Sequence, residues 1–343
     1  MNTIVRKIGT QDVDEQSFVD VIGEAAMLIR SGGLVAFPTE TVYGLGANAL
    51  DEVACAGIFV AKQRPADNPL IIHISDVSMM NDLCEVSAEA QKLMEVFWPG
   101  ALTIIMPKKD KVPDIVSAGL KTVAIRLPAN PIARALIKAS NAPIAAPSAN
   151  LSGSPSPTQA EHVVEDFDGK IPLIIDGGAV DIGLESTVVD ATSDKVMILR
   201  PGAISAENLA DVLGYEVEYA KIDENKNEKP KSPGMKHKHY SPKANLQLAS
   251  SIEEVEKFRN EVLSEKGEEP LCIIMEKEGQ AFGSEMEILK IAKYGDLETY
   301  ARNLFATLRY ADSQNYKSII IQTVPEKRMG VAIMNRLKRA ALQ

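Results

Sequence analysis

The chain has 343 residues, 45% of them apolar, which is enough for more than one hydrophobic core. Lysine and arginine total 37 against 47 acidic residues, and this net charge of −10 argues against a protein that coats nucleic acid through general basicity. Cys55, Cys84 and Cys272 are scattered without a paired motif, and no apolar run approaches the roughly 18 residues needed to span a bilayer. A cytoplasmic protein without structural zinc is expected.

In the N-terminal part, short apolar strands alternate with amphipathic helices. Strands are predicted at "LVAFP", "PLIIHI", "ALTIIMP", "TVAIRLP", "PIAAP", "IPLIID", "STVVDA" and "VMILRP". Helices are predicted at "SFVDVIGEAAMLIRSGG" and "DEVACAGIFVAKQR", and from Ser87, Pro131, Thr158 and Ser205. Because two strands follow one another without a helix between them, we expect a mixed sheet.

A stretch with almost no aliphatic residue, "KIDENKNEKPKSPGMKHKHYSPK", interrupts this pattern and is typical of a linker. From Asn245 the alternation resumes, with strands "LQLA", "LCIIM" and "SIIIQT" separated by helices from Ser251 and Gly295 and followed by the helix "GVAIMNRLKRAAL". The predicted division is therefore residues 1–205, a helix and basic linker at 206–243, and a small α/β domain at 244–343.

The segment "FPTETVYGLGANA" follows the first predicted strand. Gly44, Gly46 and Ala49 have the spacing of a dinucleotide-binding turn, but "PTETVY" separates them from the strand that should directly precede such a turn. The chain also lacks a G-x-x-x-x-G-K-[ST] phosphate loop, so any nucleotide must bind by another route. "PTETV" itself predicts a hydroxyl-rich bend at a strand end, which is either a ligand site or an ordinary polar loop.

Polar groups recur near other predicted strand ends. "APSANLSGSPSPT" supplies small hydroxyl and amide residues, and "GLESTVVD" places Ser186 at the mouth of a strand. Arg126 and Arg200 lie inside or at the end of apolar strands, where a guanidinium suits either a bound carboxylate or phosphate, or an internal acidic partner. "KQRPADNPL" adds a cationic corner that two prolines stiffen.

Together, "PTETVYGLG", "KQRP…NPL", "TVAIRLP", "APSAN", "GLESTVVD", "LRPG" and "SPGMKHKHYSP" resemble, in order, the motifs of the threonylcarbamoyl-AMP synthase family in its two-domain form. The resemblance covers nearly the whole chain. It implies an α/β fold: a YrdC-like catalytic domain at 1–205 with a twisted mixed sheet and flanking helices, a linker, and a small Rossmann-like C-terminal domain.

The resemblance also implies a reaction in which L-threonine, bicarbonate and ATP give threonylcarbamoyl-AMP and pyrophosphate. Mg²⁺ is expected to bind through the nucleotide, with no metal ligand from protein side chains. The product would pass to a separate tRNA threonylcarbamoyl transferase complex. Neither strong direct tRNA binding nor membrane association is expected.

Residue roles follow from the same motifs. Lys62 and Arg64 are the expected catalytic residues. The implied ATP-binding residues are Lys62, Arg64, Asn68, Thr122, Ser148, Asn150, Ser156, Arg200 and His239. The implied threonine-binding residues are Thr41, His73, Arg126, Ala146 and Ser186. A separate hypothesis concerns residues 229–243: because this segment is cationic and Pro/Gly-hinged in an acidic chain, we expect it to fold over the site as a lid, with Lys236, His237, His239 and Tyr240 as lid residues.

The alternative is a module that binds double-stranded RNA or tRNA without catalysis. The acidic balance of the chain counts against it, as does the scarcity of interleaved aromatic and basic residues.

Overall fold

A computed structural model describes residues 2–13, 15–220, 240–277 and 286–342. Its strands are β1 (Ile4–Lys7), β2 (Val35–Phe37), β3 (Gly44–Asn48), β4 (Ile71–His73), β5 (Leu102–Pro107), β6 (Thr122–Arg126), β7 (Ile144–Ala145), β8 (Leu173–Asp176), β9 (Thr187–Asp190), β10 (Met197–Arg200), β11 (Asn245–Ala249), β12 (Leu271–Glu276), β13 (Ile288–Lys293) and β14 (Ser318–Gln322). Its helices are α1 (Gln16–Arg30), α2 (Glu52–Lys62), α3 (Ala88–Phe97), α4 (Asp114–Ser117), α5 (Pro131–Ser140), α6 (Ala160–Phe167), α7 (Ala206–Leu213), α8 (Ile252–Lys266), α9 (Leu297–Ser313) and α10 (Met329–Ala341), with a 3-10 helix at Val77–Asp82. None of the helices in these ranges combines the length and the apolar character that a bilayer crossing requires.

The larger sheet has 10 strands in the order β1-β8-β2-β3-β7-β4-β6-β5-β9-β10. Strand pairs β1–β8, β8–β2, β4–β6 and β5–β9 are parallel. The other neighbouring pairs are antiparallel, including β2–β3 and β9–β10, whose strands follow one another in the chain without an intervening helix. The predicted mixed sheet is confirmed.

Helices cover both faces of this sheet, because successive residues of a strand point to opposite sides. In β2, Ala36 belongs to a core shared with α2, α3, α6 and α7, whereas Val35 and Phe37 belong to a core shared with α1 and α5. In β8, Ile174 and its neighbour Ile175 divide in the same way. This two-sided burial explains why these strands are continuous apolar runs in the sequence.

Strand β3 is not predicted by the sequence pattern, since its glycines resemble turn residues. A Cβ atom on Gly46 would lie 2.7 Å from side-chain atoms of both Phe37 and Ile144. The glycine therefore allows close packing on neighbouring strands rather than the approach of a phosphate. Strands β1 and β13 were also not expected from the pattern; β1 is exposed along its whole length at the sheet edge.

The C-terminal part forms a 4-stranded parallel sheet in the order β11-β14-β12-β13. One face packs on α8 through a core that includes Val255 and Ile274. The other face packs on α9 and α10 through a core that includes Phe305 and Leu337. The expected small Rossmann-like domain is confirmed.

The two domains meet through an apolar contact and a polar one. Val42 and Leu184, which flank strands of the large sheet, join the core of the small domain. Arg309 of α9 donates to the carbonyl oxygen of Pro155 from Nε (3.1 Å) and Nη2 (2.8 Å), and Nη2 lies 2.6 Å from the Asp166 carboxylate. Buried contacts of both kinds fix the small domain against the large one.

Gly183 brings the backbones of the two domains together. Its φ is +82°, and an added Cβ would lie 2.4 Å from Cα of Arg302 in α9. We expect Gly183→Ala to lower the free energy of unfolding by at least about 2 kcal/mol, because the substitution adds a backbone clash to the left-handed strain.

The matched control is Gly178→Ala, since Gly178 has a φ of +81° and open space around a Cβ. It should cost only about 1 kcal/mol, the strain term alone. Urea unfolding followed by circular dichroism measures both variants. Equal losses would show that a side chain at position 183 does not clash with α9.

Candidate active site

One pocket collects polar side chains from segments that are far apart in sequence. Its walls come from the bend after β2, the end of α2, strands β4 and β6, the loop after β7, the segment before β9, and the end of β10. The lining residues are Thr39, Thr41, Val42, Tyr43, Gly44, Lys62, Arg64, Ile71, His73, Arg126, Ala146, Pro147, Ser148, Asn150, Ser152, Ser156, Glu185, Ser186, Arg200 and Tyr240.

This pocket brings together all five residues predicted to bind threonine. From the predicted ATP set it contains Lys62, Arg64, Ser148, Asn150, Ser156 and Arg200. Asn68 and Thr122 are not in its wall: Asn68 is buried in the corner after α2, and Thr122 begins β6. Of the predicted lid residues, Tyr240 lines the pocket, whereas Lys236, His237 and His239 lie outside the described residues.

Lys62 is the last residue of α2. The helix begins with the Asp51 side chain accepting from two backbone N–H groups and ends where Gln63 adopts a left-handed conformation, with φ of 51°. Lys62 Nζ donates to the carbonyl oxygens of Ser148 and Asn150, each at 2.5 Å. Burial, and then the charge of nearby Arg64, lower the pKa of Lys62 well below its ordinary value. A bound anion would therefore stabilise the ammonium form.

Arg64 follows in the proline-stiffened corner. Its Nη2 donates to the carbonyl oxygen of Asn68 at 2.9 Å, and its guanidinium carbon lies 5.8 Å from the ring centroid of Phe59. Burial lowers the pKa of Arg64 to about 10, although Asp67 and Tyr240 oppose the shift. Arg64 therefore carries a positive charge into the pocket at neutral pH.

Arg200 reaches the pocket from the end of β10. Its Nε and Nη2 donate to the carbonyl oxygen of Ser186 at 3.1 and 3.0 Å, and Nη2 also donates to the Ser186 hydroxyl at 3.1 Å. The Ser186 hydroxyl is 2.7 Å from that of Thr103. Burial lowers the pKa of Arg200 to about 10, so this guanidinium also stays charged.

Arg126 has an internal acidic partner, which is one of the two alternatives that its position in an apolar strand allowed. The Glu40 carboxylate lies 2.7 Å from Arg126 Nη2, Nη1 donates to the Thr41 hydroxyl at 2.8 Å, and Nε donates to the carbonyl oxygen of Gly100 at 3.2 Å. Burial alone would raise the pKa of Glu40, but the charge of Arg126, together with hydrogen bonds from Arg126 and from backbone N–H groups, outweighs burial and lowers the pKa. Arg126 is thus held rigidly, with part of its charge compensated. Glu40 was not among the predicted site residues, although it lies inside "PTETV".

His73 is buried beside this group, with Nδ1 3.2 Å from the carbonyl oxygen of Ile71. Burial, followed by the charge of Arg126, lowers the pKa of His73 to about 3. The imidazole is therefore neutral at neutral pH and offers hydrogen bonding rather than positive charge.

Glu185 is a second carboxylate that was not among the predicted site residues, although "GLESTVVD" contains it. It lines the pocket, where its Oε1 accepts from the Ser156 hydroxyl and its Oε2 accepts from Arg336 Nε at 2.8 Å. Burial would raise the pKa of Glu185, but Arg336 and Arg200 outweigh it and lower the pKa. Arg336 belongs to α10 of the small domain, and no sequence motif pointed to it.

The cysteines lie away from this chemistry. None lines the pocket, and burial raises the pKa of Cys55 and Cys272 to about 12 and that of Cys84 to about 11. They carry almost no thiolate at neutral pH and are unsuited to nucleophilic attack. Across the described ranges, no group of three or more histidine, cysteine, aspartate or glutamate side chains could hold a metal ion.

Two family models match consecutive parts of the chain. The Sua5/YciO/YrdC model, described as telomere recombination, matches residues 27–202, and the model for the C-terminal domain of threonylcarbamoyl-AMP synthase matches residues 204–342. The threonylcarbamoyl-AMP synthase of Pyrococcus abyssi is 46% identical over 92% of this chain and 93% of its own length. That of Bacillus subtilis is 47% identical over 93% of this chain and 92% of its own length.

A solved structure shows the same architecture. The crystal structure of Sua5 from Pyrococcus abyssi in complex with L-threonine superposes with a TM-score of 0.88 at 43% identity, covering 99% of this chain and 98% of that one. The chain belongs to the threonylcarbamoyl-AMP synthase family, a family of nucleotidyltransferase-type enzymes, in the form that carries the additional C-terminal domain.

Proposed function

We propose that the chain makes threonylcarbamoyl-AMP and pyrophosphate from L-threonine, bicarbonate and ATP. The observation that carries this proposal is the convergence of Lys62, Arg64 and Arg200 with Arg126 and several hydroxyl groups in one pocket. The similarity to a structure solved with L-threonine supports the amino-acid half of it. The alternative of an RNA-binding module without catalysis is not favoured, because relatives that match nearly the whole chain are named synthases.

In this proposal the cationic side of the pocket binds ATP. Lys62, Arg64 and Arg200 are oriented by carbonyl and hydroxyl oxygens, so their N–H groups are already in place when the phosphates arrive. Ser148 and Asn150, whose carbonyl oxygens hold Lys62, supply further polar groups. Such preorganisation reduces the entropy lost on binding.

The hydroxyl-rich side binds L-threonine. Arg126, steadied by Thr41 and Glu40, provides the planar donor group suited to the α-carboxylate. Ser186 and the neutral His73 offer hydrogen-bonding groups for the rest of the amino acid. Ala146 has a small side chain and so leaves space for the amino acid at this part of the pocket wall.

The chemistry then needs no covalent enzyme intermediate. The threonine amine attacks carbon dioxide derived from bicarbonate and loses a proton, which gives a carbamate. A carbamate oxygen forms a bond to the α-phosphorus of ATP, and the bond from that phosphorus to pyrophosphate breaks. Because carbamate and triphosphate are both anions, Lys62 and Arg64 act by cancelling their repulsion and aligning them.

Mg²⁺ fits this site as a companion of the nucleotide. Glu40 contacts Arg126, and Glu185 of the pocket wall contacts Arg336, so both carboxylates are already paired with arginines. The ion would be held by the triphosphate and would supply charge neutralisation there. The product is proposed to serve a separate transferase complex that modifies tRNA.

The linker is proposed to close over the site as a lid. Its described end supports this proposal: Tyr240 lines the pocket and stacks on Phe305, with ring centroids 5.2 Å apart. The backbone N–H of Ser241 donates to the carbonyl oxygen of Gly153 at 2.9 Å. The end of the linker therefore lies beside Gly153, close in sequence to Ser148, Asn150 and Ser156, which are proposed to bind ATP. A closed lid would protect the hydrolysable product from water.

A pyrophosphate-release assay with each amino acid tests the proposed reaction. We expect release that requires ATP, bicarbonate and L-threonine together, and that stops when EDTA removes Mg²⁺. Salt-sensitive RNA binding without any release would instead support the module.

Substitutions separate the two sides of the pocket. We expect Arg64→Ala to raise the KM for ATP by at least about tenfold, since a charged contact to phosphate is worth about 1.5–3 kcal/mol, while the KM for threonine stays within about twofold. The double variant Arg126→Ala with Glu40→Gln should show the reverse pattern. Steady-state kinetics with each substrate varied in turn measure both.

The second change is included because Arg126→Ala alone would leave the buried Glu40 carboxylate without its partner. Glu40→Gln alone is the control, and it should keep most of the threonine affinity. If Arg64→Ala affected threonine and the double variant affected ATP, the assignment of the two sides would be wrong.

Replacement of residues 229–243 by a Gly/Ser segment of equal length tests the lid. We expect the yield of threonylcarbamoyl-AMP to fall by at least about tenfold while ATP is still consumed, because an open site lets water hydrolyse the product. Mass spectrometry of the product, compared with pyrophosphate release, measures this uncoupling. Unchanged synthesis would refute the lid.

A further inference from the structure

Arg336 is a fully buried arginine of the small domain that contacts the wall of the nucleotide pocket. Its exposure is 0%, and its Nε donates to Glu185 Oε2 at 2.8 Å. Its guanidinium carbon also lies 5.5 Å from the ring centroid of Tyr240. Both Glu185 and Tyr240 line the pocket, whereas Arg336 stands behind them.

Glu185 is an unusual residue for a site that binds a triphosphate. Its carboxylate lines the same pocket as Lys62, Arg64 and Arg200, where an unneutralised negative charge would repel phosphates. Its Oε1 nevertheless has a clear task, because it accepts the hydrogen bond of the Ser156 hydroxyl. The site therefore needs this carboxylate in place and needs its charge compensated.

A second arginine of the small domain contacts the loop that contains Ser156. Arg309 of α9 donates twice to the carbonyl oxygen of Pro155, directly before Ser156. It also contacts Asp166, whose carboxylate accepts from the backbone N–H of Leu151 at 3.2 Å. Both ends of the loop from Leu151 to Ser156 are thus held from the C-terminal domain.

We propose that the C-terminal domain is part of the nucleotide site: Arg336 neutralises Glu185 and, through it, positions Ser156, while Arg309 fixes the adjoining loop. Both arginines are positioning residues. The inference rests on the proposed function in taking the nucleotide to be ATP. On this proposal the C-terminal domain positions groups of the nucleotide site and also anchors the end of the linker.

The test compares Arg336→Met, Arg336→Lys and the double variant Glu185→Gln with Arg336→Met. Calorimetry measures binding of MgATP alone, and the pyrophosphate assay gives the KM for each substrate. Arg336→Met should weaken ATP binding by at least about tenfold, as expected when a reacting or binding group is displaced, and leave the KM for threonine within about twofold. Arg336→Lys should recover part of the loss.

The double variant is the decisive one. It removes both charges, and the glutamine can still accept from Ser156, so ATP affinity should return to within about threefold of the wild-type value. Arg302→Ala is the matched control, because Arg302 also joins the domains, by donating to the carbonyl oxygen of Asp181 at 2.7 Å, but lies outside the pocket wall. It should leave ATP binding unchanged.

The outcomes separate the two proposals. Wild-type ATP affinity in Arg336→Met, or a double variant as weak as the single one, would overturn the role of Arg336. Should Arg336→Met fail to fold, Arg336→Gln replaces it, alone and combined with Glu185→Gln, under the same two criteria. A wild-type chain that binds MgATP without threonine-dependent release would overturn the proposed function only, whereas one that binds no MgATP would overturn both.

Discussion

The site depends on positive charge that is buried and oriented by neutral oxygen atoms. Lys62 is held by two carbonyl groups, and Arg200 by a carbonyl and a hydroxyl group of Ser186. Burial lowers the pKa of both side chains, so the empty pocket is a costly place for these cations. A bound polyanion would relieve that cost. The folded chain therefore holds these cations in an environment that becomes more favourable when an anion binds, and this difference would contribute to the binding free energy.

This constraint explains the distribution of carboxylates around the pocket. Glu40 and Glu185 are both buried and both face an arginine, Arg126 in one case and Arg336 in the other. Each pair is close to electrically neutral, so neither cancels the charge of the cations that remain. The pocket can thus keep rigid ionic contacts in its wall and still attract anions. The pair of Glu185 and Arg336 joins the two domains. The charge balance of the pocket wall therefore depends on the contact between the domains.

Much of this arrangement could be read from the sequence, because buried strands and polar strand ends leave strong local signals. "TVAIRLP" predicts both strand β6 and the inward guanidinium of Arg126, and "KQRPADNPL" predicts a rigid cationic corner. Strand β3 could not be read, since its glycines suit a turn as well as a strand, and only the packing of Phe37 and Ile144 decides between them. Arg336 carries no local signal, because its role arises from a contact 151 positions away in sequence.

The state of the thiols has a practical consequence. All three cysteines are buried, and burial raises the pKa of each, so they resist alkylation and oxidation while the chain is folded. A single cysteine introduced on the surface would therefore take up a maleimide dye selectively. The native thiols would react only on unfolding, which makes their labelling rate a direct reporter of how often each domain opens.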